Sequence, residues 1–157
     1  MSIRKFQFIS DEDALEIDCM EVVPEGTIKG IVQFVHGMCE YKERYTEFME
    51  LLADHGYYCV IHDNRGHGKS IESEDDLGYF YEGGYRALIE DTHQLAMLTK
   101  DKIGKNLPYI LLGHSMGSMI VRCFLKQYDE NDLRYNLYAN THISIGDKDN
   151  LVGGGPD

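Results

Sequence analysis

No run of apolar residues in this chain approaches the length needed to cross a bilayer. The opening stretch Met1-Ser2-Ile3-Arg4-Lys5-Phe6 also lacks the apolar core of a secretory leader. Positive charge is scarce: 15 Lys and Arg stand against 27 Asp and Glu, a formal net charge of −12. That balance argues against nucleic acid or anionic lipid headgroups as main partners, because both favour basic surfaces. Closely spaced cysteines are missing too. Cys19, Cys39, Cys59 and Cys123 form no C-x-x-C pair, which excludes the usual metal and redox patterns and predicts reduced thiols in a cytoplasmic protein. Cys59 and Cys123 fall within apolar patterns and read as small core residues. No metal, cofactor or integral membrane segment is expected. Internal repeats, low-complexity stretches and an interdomain linker are absent, so residues 1–157 read as one domain, able to bury about two-thirds of its unfolded surface.

Hydrophobic periodicity then orders what is present. Residues 4–23 alternate apolar and polar positions around the turn-forming Ser10-Asp11-Glu12-Asp13, which predicts an antiparallel hairpin. Ile28 to Val35 reads as a buried strand running into His36-Gly37. Tyr45, Phe48, Met49 and Leu52 recur at helical spacing, and Gly56 is a helix stop. Tyr57 to Ile61 is the next strand, followed by the loop Asp63 to Ser70. Residues 71–84 are acidic and Gly-rich, hence irregular. Tyr85, Leu88, Ile89, Thr92, Leu95, Ala96 and Thr99 mark a long amphipathic helix that Gly104 ends. Tyr109 to Leu112 is a strand, and the following helix should turn Met116, Met119, Ile120, Cys123 and Phe124 inward. A last strand is expected at Ile143–Ile145. A hairpin followed by alternating strands and helices predicts an α/β fold with a mostly parallel sheet between helices.

Between the late strand and its helix stands Gly113-His114-Ser115-Met116-Gly117. Strand, G-x-S-x-G, helix is the nucleophile elbow, a tight turn that lifts a serine hydroxyl above the edge of a sheet. Gly113 and Gly117 fit that turn because the two backbones approach too closely for side chains. A serine hydroxyl becomes a useful nucleophile only when a base takes its proton and an acid orients that base. Backbone donors must also receive the developing oxyanion. The Met116 N–H opens the helix and is one such donor. His36-Gly37-Met38 follows an earlier strand and supplies a second, the Met38 N–H, with His36 expected to brace that loop by hydrogen bonds.

These segments resemble the α/β-hydrolase family, in its monoacylglycerol lipase and lysophospholipase branch of the S33 serine aminopeptidase type. The similarity rests on His36-Gly37-Met38-Cys39-Glu40, Arg44-Tyr45, Gly56-Tyr57, the run Asp63-Asn64-Arg65-Gly66-His67-Gly68-Lys69-Ser70, and the elbow. It runs from about residue 5 to 131. It implies a three-layer α/β-hydrolase core and hydrolysis of a carboxylic ester, a small-molecule acyl substrate such as a monoacylglycerol or lysophospholipid. Ser115 is then the nucleophile. The acid carries over to Asp149, in Gly146-Asp147-Lys148-Asp149, which matches the family's G-x-x-D motif. His67 belongs to a turn that is structural in the family.

The resemblance also implies parts that the chain does not show. The family's cap and a further strand belong between the elbow helix and the acid motif, so an internal deletion near 131–140 is expected. Its catalytic histidine belongs beyond Asp149, where this sequence has none. His114 is expected to point into the packing around the elbow. His142 reaches the sheet's upper edge only if the tail folds differently. His55, His62 and His93 read as surface or packing residues. Tyr79, Phe80, Tyr81 and Tyr85 read as packing under a loop, with an acyl-pocket wall as the alternative. Two readings of function therefore stay open. One is a serine hydrolase impaired by the missing base; the other is an inactive hydrolase-fold module that binds an acyl ligand or a partner. An uncovered sheet edge near Ile143–Ile145 would favour a homo-oligomer, which in turn offers a route for a partner copy to supply the histidine.

Overall fold

The computed structural model describes residues 1–128 and the backbone of residues 135–140. The chain opens with strands β1 (Ser2–Ile9) and β2 (Glu16–Val23), paired antiparallel from Ser2↔Val23 to Ile9↔Glu16 as the alternation predicts. β3 (Gly30–Val35) and β4 (Tyr57–His62) run parallel and flank helix α1 (Thr46–Asp54) in sequence. Helix α2 (Gly84–Ile103) leads to β5 (Tyr109–His114), and α3 (Met116–Tyr128) follows directly. β6 (Tyr135–Asn140) completes a six-stranded sheet of order β1-β2-β4-β3-β5-β6, parallel from β4 onward.

Strand alternation divides the core between two faces. Val32, Phe34, Cys59 and Ile61 pack with Met49 and Ala53 of α1. Ile31, Val35, Tyr58 and Val60 pack on the opposite side with Leu88, Leu95 and Ala96 of α2 and with Ile120, Val121 and Phe124 of α3. Helices therefore cover both faces. β3 leads by way of α1 to β4 on one side, and β4 leads by way of α2 to β5 on the other. The chain thus changes direction across β3, the position at which open α/β sheets place their sites, just beyond the carboxyl ends of the strands.

Three expectations need correction. α3 turns Gly117, Ser118, Ile120, Val121 and Phe124 inward, whereas Met119 and Cys123 are exposed. The closest packing on the sheet is made by the small residues 117 and 118, which rotates the helix away from the face its large apolar residues suggest. The thiol at Cys123 is therefore not a core group, unlike the buried Cys59. The strand that follows α3 falls at Tyr135–Asn140, where the sequence reading placed no element. Asn136 and Asn140 are poor strand formers, and this strand is set by its pairing with β5 along Tyr109↔Tyr135 to His114↔Asn140. The strand expected at Ile143–Ile145 lies outside the described residues, as do His142 and Asp149. No helix among the described residues is long and apolar enough to cross a membrane.

Candidate active site

The carboxyl ends of β3, β4 and β5 deliver His36-Gly37, the Asp63–Ser70 loop and Ser115 to one rim of the sheet. Ser115 stands at φ 58°, in the left-handed region that costs a side-chain-bearing residue about 1 kcal/mol or more and persists only where its surroundings enforce it. Close backbone contacts do the enforcing. A Cβ on Gly117 would come within 1.9 Å of the Val35 carbonyl oxygen, and one on Gly113 within 2.5 Å of the Gly117 oxygen. The Ser115 carbonyl accepts the Ser118 N–H at 2.9 Å and the Ser118 hydroxyl at 2.6 Å, which closes the first turn of α3. The Met116 N–H is one of the helix's unpaired first-turn donors.

The loop after β3 lies directly on this elbow: a Cβ on Gly37 would sit 2.8 Å from Ser115 Cβ. His36 is fully buried, and its Nε2 accepts the Asn64 N–H at 2.9 Å. The ring proton is therefore on Nδ1, which donates to the Gly37 carbonyl at 2.7 Å. Burial holds the imidazole below its ordinary pKa, so it stays neutral. Glu40 returns to accept the Gly37 N–H at 2.8 Å and the Tyr45 hydroxyl at 3.1 Å. The turn is closed by Glu40 N–H to Gly37 O at 3.3 Å, with Cys39 at φ 60°. Among the described residues the Met38 N–H donates to nothing.

Two buried ionic clusters fix the neighbouring loop. Asp63 accepts the Lys42 N–H at 2.7 Å, the Lys42 ammonium at 2.7 Å and the Lys69 N–H at 2.9 Å. Lys42 also pairs with Asp18 and Glu43; burial opposes its charge, but these carboxylates outweigh that and hold its pKa above the ordinary value. Arg65, wholly buried, binds Asp13 of the hairpin turn at 2.7 and 3.0 Å and Asp91 of α2 at 2.9 Å, and donates to the Phe80 carbonyl at 2.9 Å. Hydrogen bonding to Arg65 lowers the Asp13 pKa; burial raises that of Asp91 despite the same partner.

The structure places the remaining histidines as follows. His114 is partly exposed, with Nε2 3.9 Å from Glu40 Oε1, and so faces the loop after β3 rather than the elbow's packing. His67 is buried, with Nδ1 3.1 Å from the Arg65 carbonyl and Nε2 3.2 Å from Met38 Sδ. His93 stacks on Tyr128 at 3.7 Å, and the exposed His55 bonds to Leu51 O. His62 is fully buried, and neither of its ring nitrogens has a partner among the described residues. No described side chain hydrogen-bonds to the Ser115 hydroxyl. Tyr79 and Tyr81 line a hollow of about 470 Å³, but Asp13, Glu72, Asp76 and Glu82 share it, which makes it unsuited to an acyl chain. A hollow of about 390 Å³ beside the loop after β3 is lined by Met38, Glu40, Tyr41, His67 and Leu77. No group of three or more His, Cys, Asp or Glu among the described residues could hold a metal ion. Glu40 and Asn64 enter the sequence reading only as letters of motifs; the i, i+3 spacing of Gly37 and Glu40, which resembles a capping box, is the signal that marks the first.

A family model described as serine aminopeptidase, S33, matches residues 26–148. The chain belongs to this family. Among its relatives, human monoglyceride lipase is 32% identical over 109 residues, covering 69% of this chain and 34% of that protein. Monoacylglycerol lipase of Mycolicibacterium smegmatis is 29% identical over 111 residues, 67% of this chain and 35% of the relative. The chain thus spans about a third of the length of the curated relatives it matches. A thermostable carboxyl esterase from Bacillus coagulans superposes with a TM-score of 0.77 at 29% identity, over 87% of this chain and 44% of the esterase. A soluble variant of monoglyceride lipase from Saccharomyces cerevisiae, at 24% identity and TM-score 0.62 over 80% and 39% of the two chains, shares the fold. The fold is that of the α/β-hydrolases, with the mostly parallel sheet and flanking helices that the S33 family implies.

Proposed function

We propose that this chain carries the serine apparatus for hydrolysing carboxylic esters, with Ser115 as nucleophile. The observation behind the proposal is the left-handed Ser115 at the turn between β5 and α3, directly beneath the loop that carries Met38. Ser115 Oγ attacks the acyl carbonyl carbon while a base takes its proton. The carbonyl oxygen becomes an oxyanion held by the Met38 and Met116 N–H groups. Collapse of the tetrahedral adduct expels the alcohol, which receives that proton, and water then releases the acid by the same route. Asp149 is the orienting acid in this reading. The apolar hollow lined by Met38, Tyr41 and Leu77 fits the acyl chain, and the names of the relatives favour monoacylglycerol or lysophospholipid substrates.

A second reading is a hydrolase-fold module that binds an acyl ligand without turning it over. It is favoured by the absence of any described imidazole on the Ser115 hydroxyl. Turnover of a short-chain p-nitrophenyl ester, with fluorophosphonate labelling, separates the two. The expected result is turnover and labelling that both vanish in Ser115→Ala. Equal rates for wild type and Ser115→Ala, with no labelling, would overturn the first reading, and saturable binding of a fatty acyl ligand by that inactive protein would then support the second.

A further inference from the structure

Two consecutive peptide units link His36 to Met38, and three of their four polar groups are already committed. In the first unit the His36 carbonyl accepts the Asn64 amide Nδ2–H at 3.0 Å, and the Gly37 N–H donates to Glu40 Oε1 at 2.8 Å. In the second, the Gly37 carbonyl accepts the His36 Nδ1–H at 2.7 Å. A trans peptide points its C=O and N–H in opposite directions. Fixing the Gly37 carbonyl on the His36 ring therefore fixes the direction of the Met38 N–H, the one of these four groups that has no partner among the described residues. The ring is itself locked, because the Asn64 N–H occupies Nε2 and leaves the proton on Nδ1. Asn64 thus holds His36 twice, by its main-chain N–H on the ring and by its side-chain amide on the carbonyl, and only the second hold is released in Asn64→Ala. Glu40 is braced in turn by the Tyr45 hydroxyl at 3.1 and 3.3 Å, with Arg44 at 3.8 Å and His114 at 3.9 Å.

We infer that Asn64 and Glu40 are positioning residues, which hold the two peptides between His36 and Met38 in the orientation that aims the Met38 N–H at the oxyanion. The inference rests on the proposed ester hydrolysis, in which that N–H is a donor. Neither residue touches the reacting atoms. Their effect is exerted on a group that matters in the transition state, so it falls on kcat and leaves KM in place.

The test compares Asn64→Ala, Glu40→Ala and Glu40→Gln in the full chain by two readouts. The first is the kcat and KM split on a p-nitrophenyl ester. Removal of an oxyanion donor costs about 10²–10³ in kcat, and a misaimed donor should cost about ten- to a hundredfold in each alanine variant. Glu40→Gln keeps an acceptor oxygen for the Gly37 N–H and should recover kcat to within about threefold, the loss expected from exchanging a charge-assisted bond for a neutral one. The second readout is the amide spectrum of ¹⁵N-labelled protein, which needs no turnover. The Gly37 amide should move upfield in Glu40→Ala and return in Glu40→Gln, and the Gly37 and Met38 signals should broaden or double in Asn64→Ala. Wild-type Gly37 and Met38 signals in Asn64→Ala, or a Glu40→Gln as impaired as Glu40→Ala, would overturn the inference. A wild type that neither turns over nor labels refutes the hydrolase reading instead, and the amide spectra then judge the clamp by themselves. Should Asn64→Ala fail to fold, the Glu40 pair still decides.

Discussion

His62 ends β4 with its whole side chain removed from solvent and no partner for either ring nitrogen among the described residues. Burial pushes its pKa down to about 3, helped by the nearby His36 and by the positive charge of Arg65; Asn64 opposes weakly. A histidine whose folded pKa lies below its unfolded value binds fewer protons when folded. Stability is therefore complete above about pH 6.5 and falls as the pH drops toward 3, because only the unfolded chain takes up the proton. His36 is depressed in the same direction by burial and adds to the slope. His62→Leu removes two unsatisfied buried nitrogens at similar volume, so it should be close to neutral at pH 7. At pH 5 it should be more stable than wild type, with a flatter dependence of urea midpoint on pH. Parallel curves for the two proteins would refute the assignment. At this scale the sequence speaks unevenly. Gly113, Ser115 and Gly117 are legible because steric exclusion demands glycine at fixed offsets around the turn. Asn64 and Glu40 are not, because their part depends on hydrogen bonds to the His36-Gly37 loop, in the case of Asn64 across 28 residues of chain.

The elements were easier to read where packing follows polarity. The β1–β2 hairpin, β3, β4 and α2 appear in the sequence as alternation or helical spacing, and the structure places them there. The inward face of α3 is not legible, because Gly117 and Ser118, the residues that pack closest, carry little hydrophobic signal. β6 carries no clear strand signal, because it is set by its pairing with β5, which outweighs two asparagines. The docking of the hairpin on the rest of the sheet was equally silent, although its chemistry is sharp: Arg65 joins Asp13 of the β1–β2 turn to Asp91 of α2. Arg65→Ala would leave two acidic groups facing each other without their cation, and breaking a buried pair of this kind costs about 3–5 kcal/mol. The loss should appear as a lower urea midpoint, and as faster amide exchange at the β1–β2 turn than in α1. Arg65→Ala with Asp91→Asn should recover part of it. If the double variant is no better than the single, the Asp91 charge is not what Arg65 neutralises. Gly117→Ala is the companion prediction: with backbone oxygens at 1.9 and 2.7 Å from the new Cβ, the strand–helix contact must open. Overpacking of this sort typically costs about 1–3 kcal/mol, and here the neighbours cannot rotate away, so the upper end or beyond is expected in a urea melt.

For the molecule as a whole, the two ways in which salt acts point in opposite directions, and their magnitudes decide the outcome. A net charge of −12 on 157 residues places like charges close together over the surface, and that repulsion weakens as added ions shorten the Debye length from about 30 Å at 0.01 M to about 10 Å at 0.1 M. Against this, salt weakens exposed ion pairs such as Lys105–Asp101 and Met1–Glu25, which contribute little because water already screens them. The pairs that hold the rim of the sheet, Lys42 with Asp18 and Asp63 and Arg65 with Asp13 and Asp91, are buried and hardly screened. Attraction is therefore concentrated inside and repulsion outside. Thermal unfolding between 10 and 300 mM NaCl should show a melting temperature that rises with salt. A gain of about 1 kcal/mol corresponds to roughly 2–4 °C for a chain of this size. The change should survive Lys105→Ala, which removes an exposed partner. It should shrink when exposed acidic residues of the 72–76 segment are replaced by their amides. A melting temperature that falls with salt would mean that exposed pairs outweigh the net charge, and that the buried clusters are not the chief ionic contribution to stability.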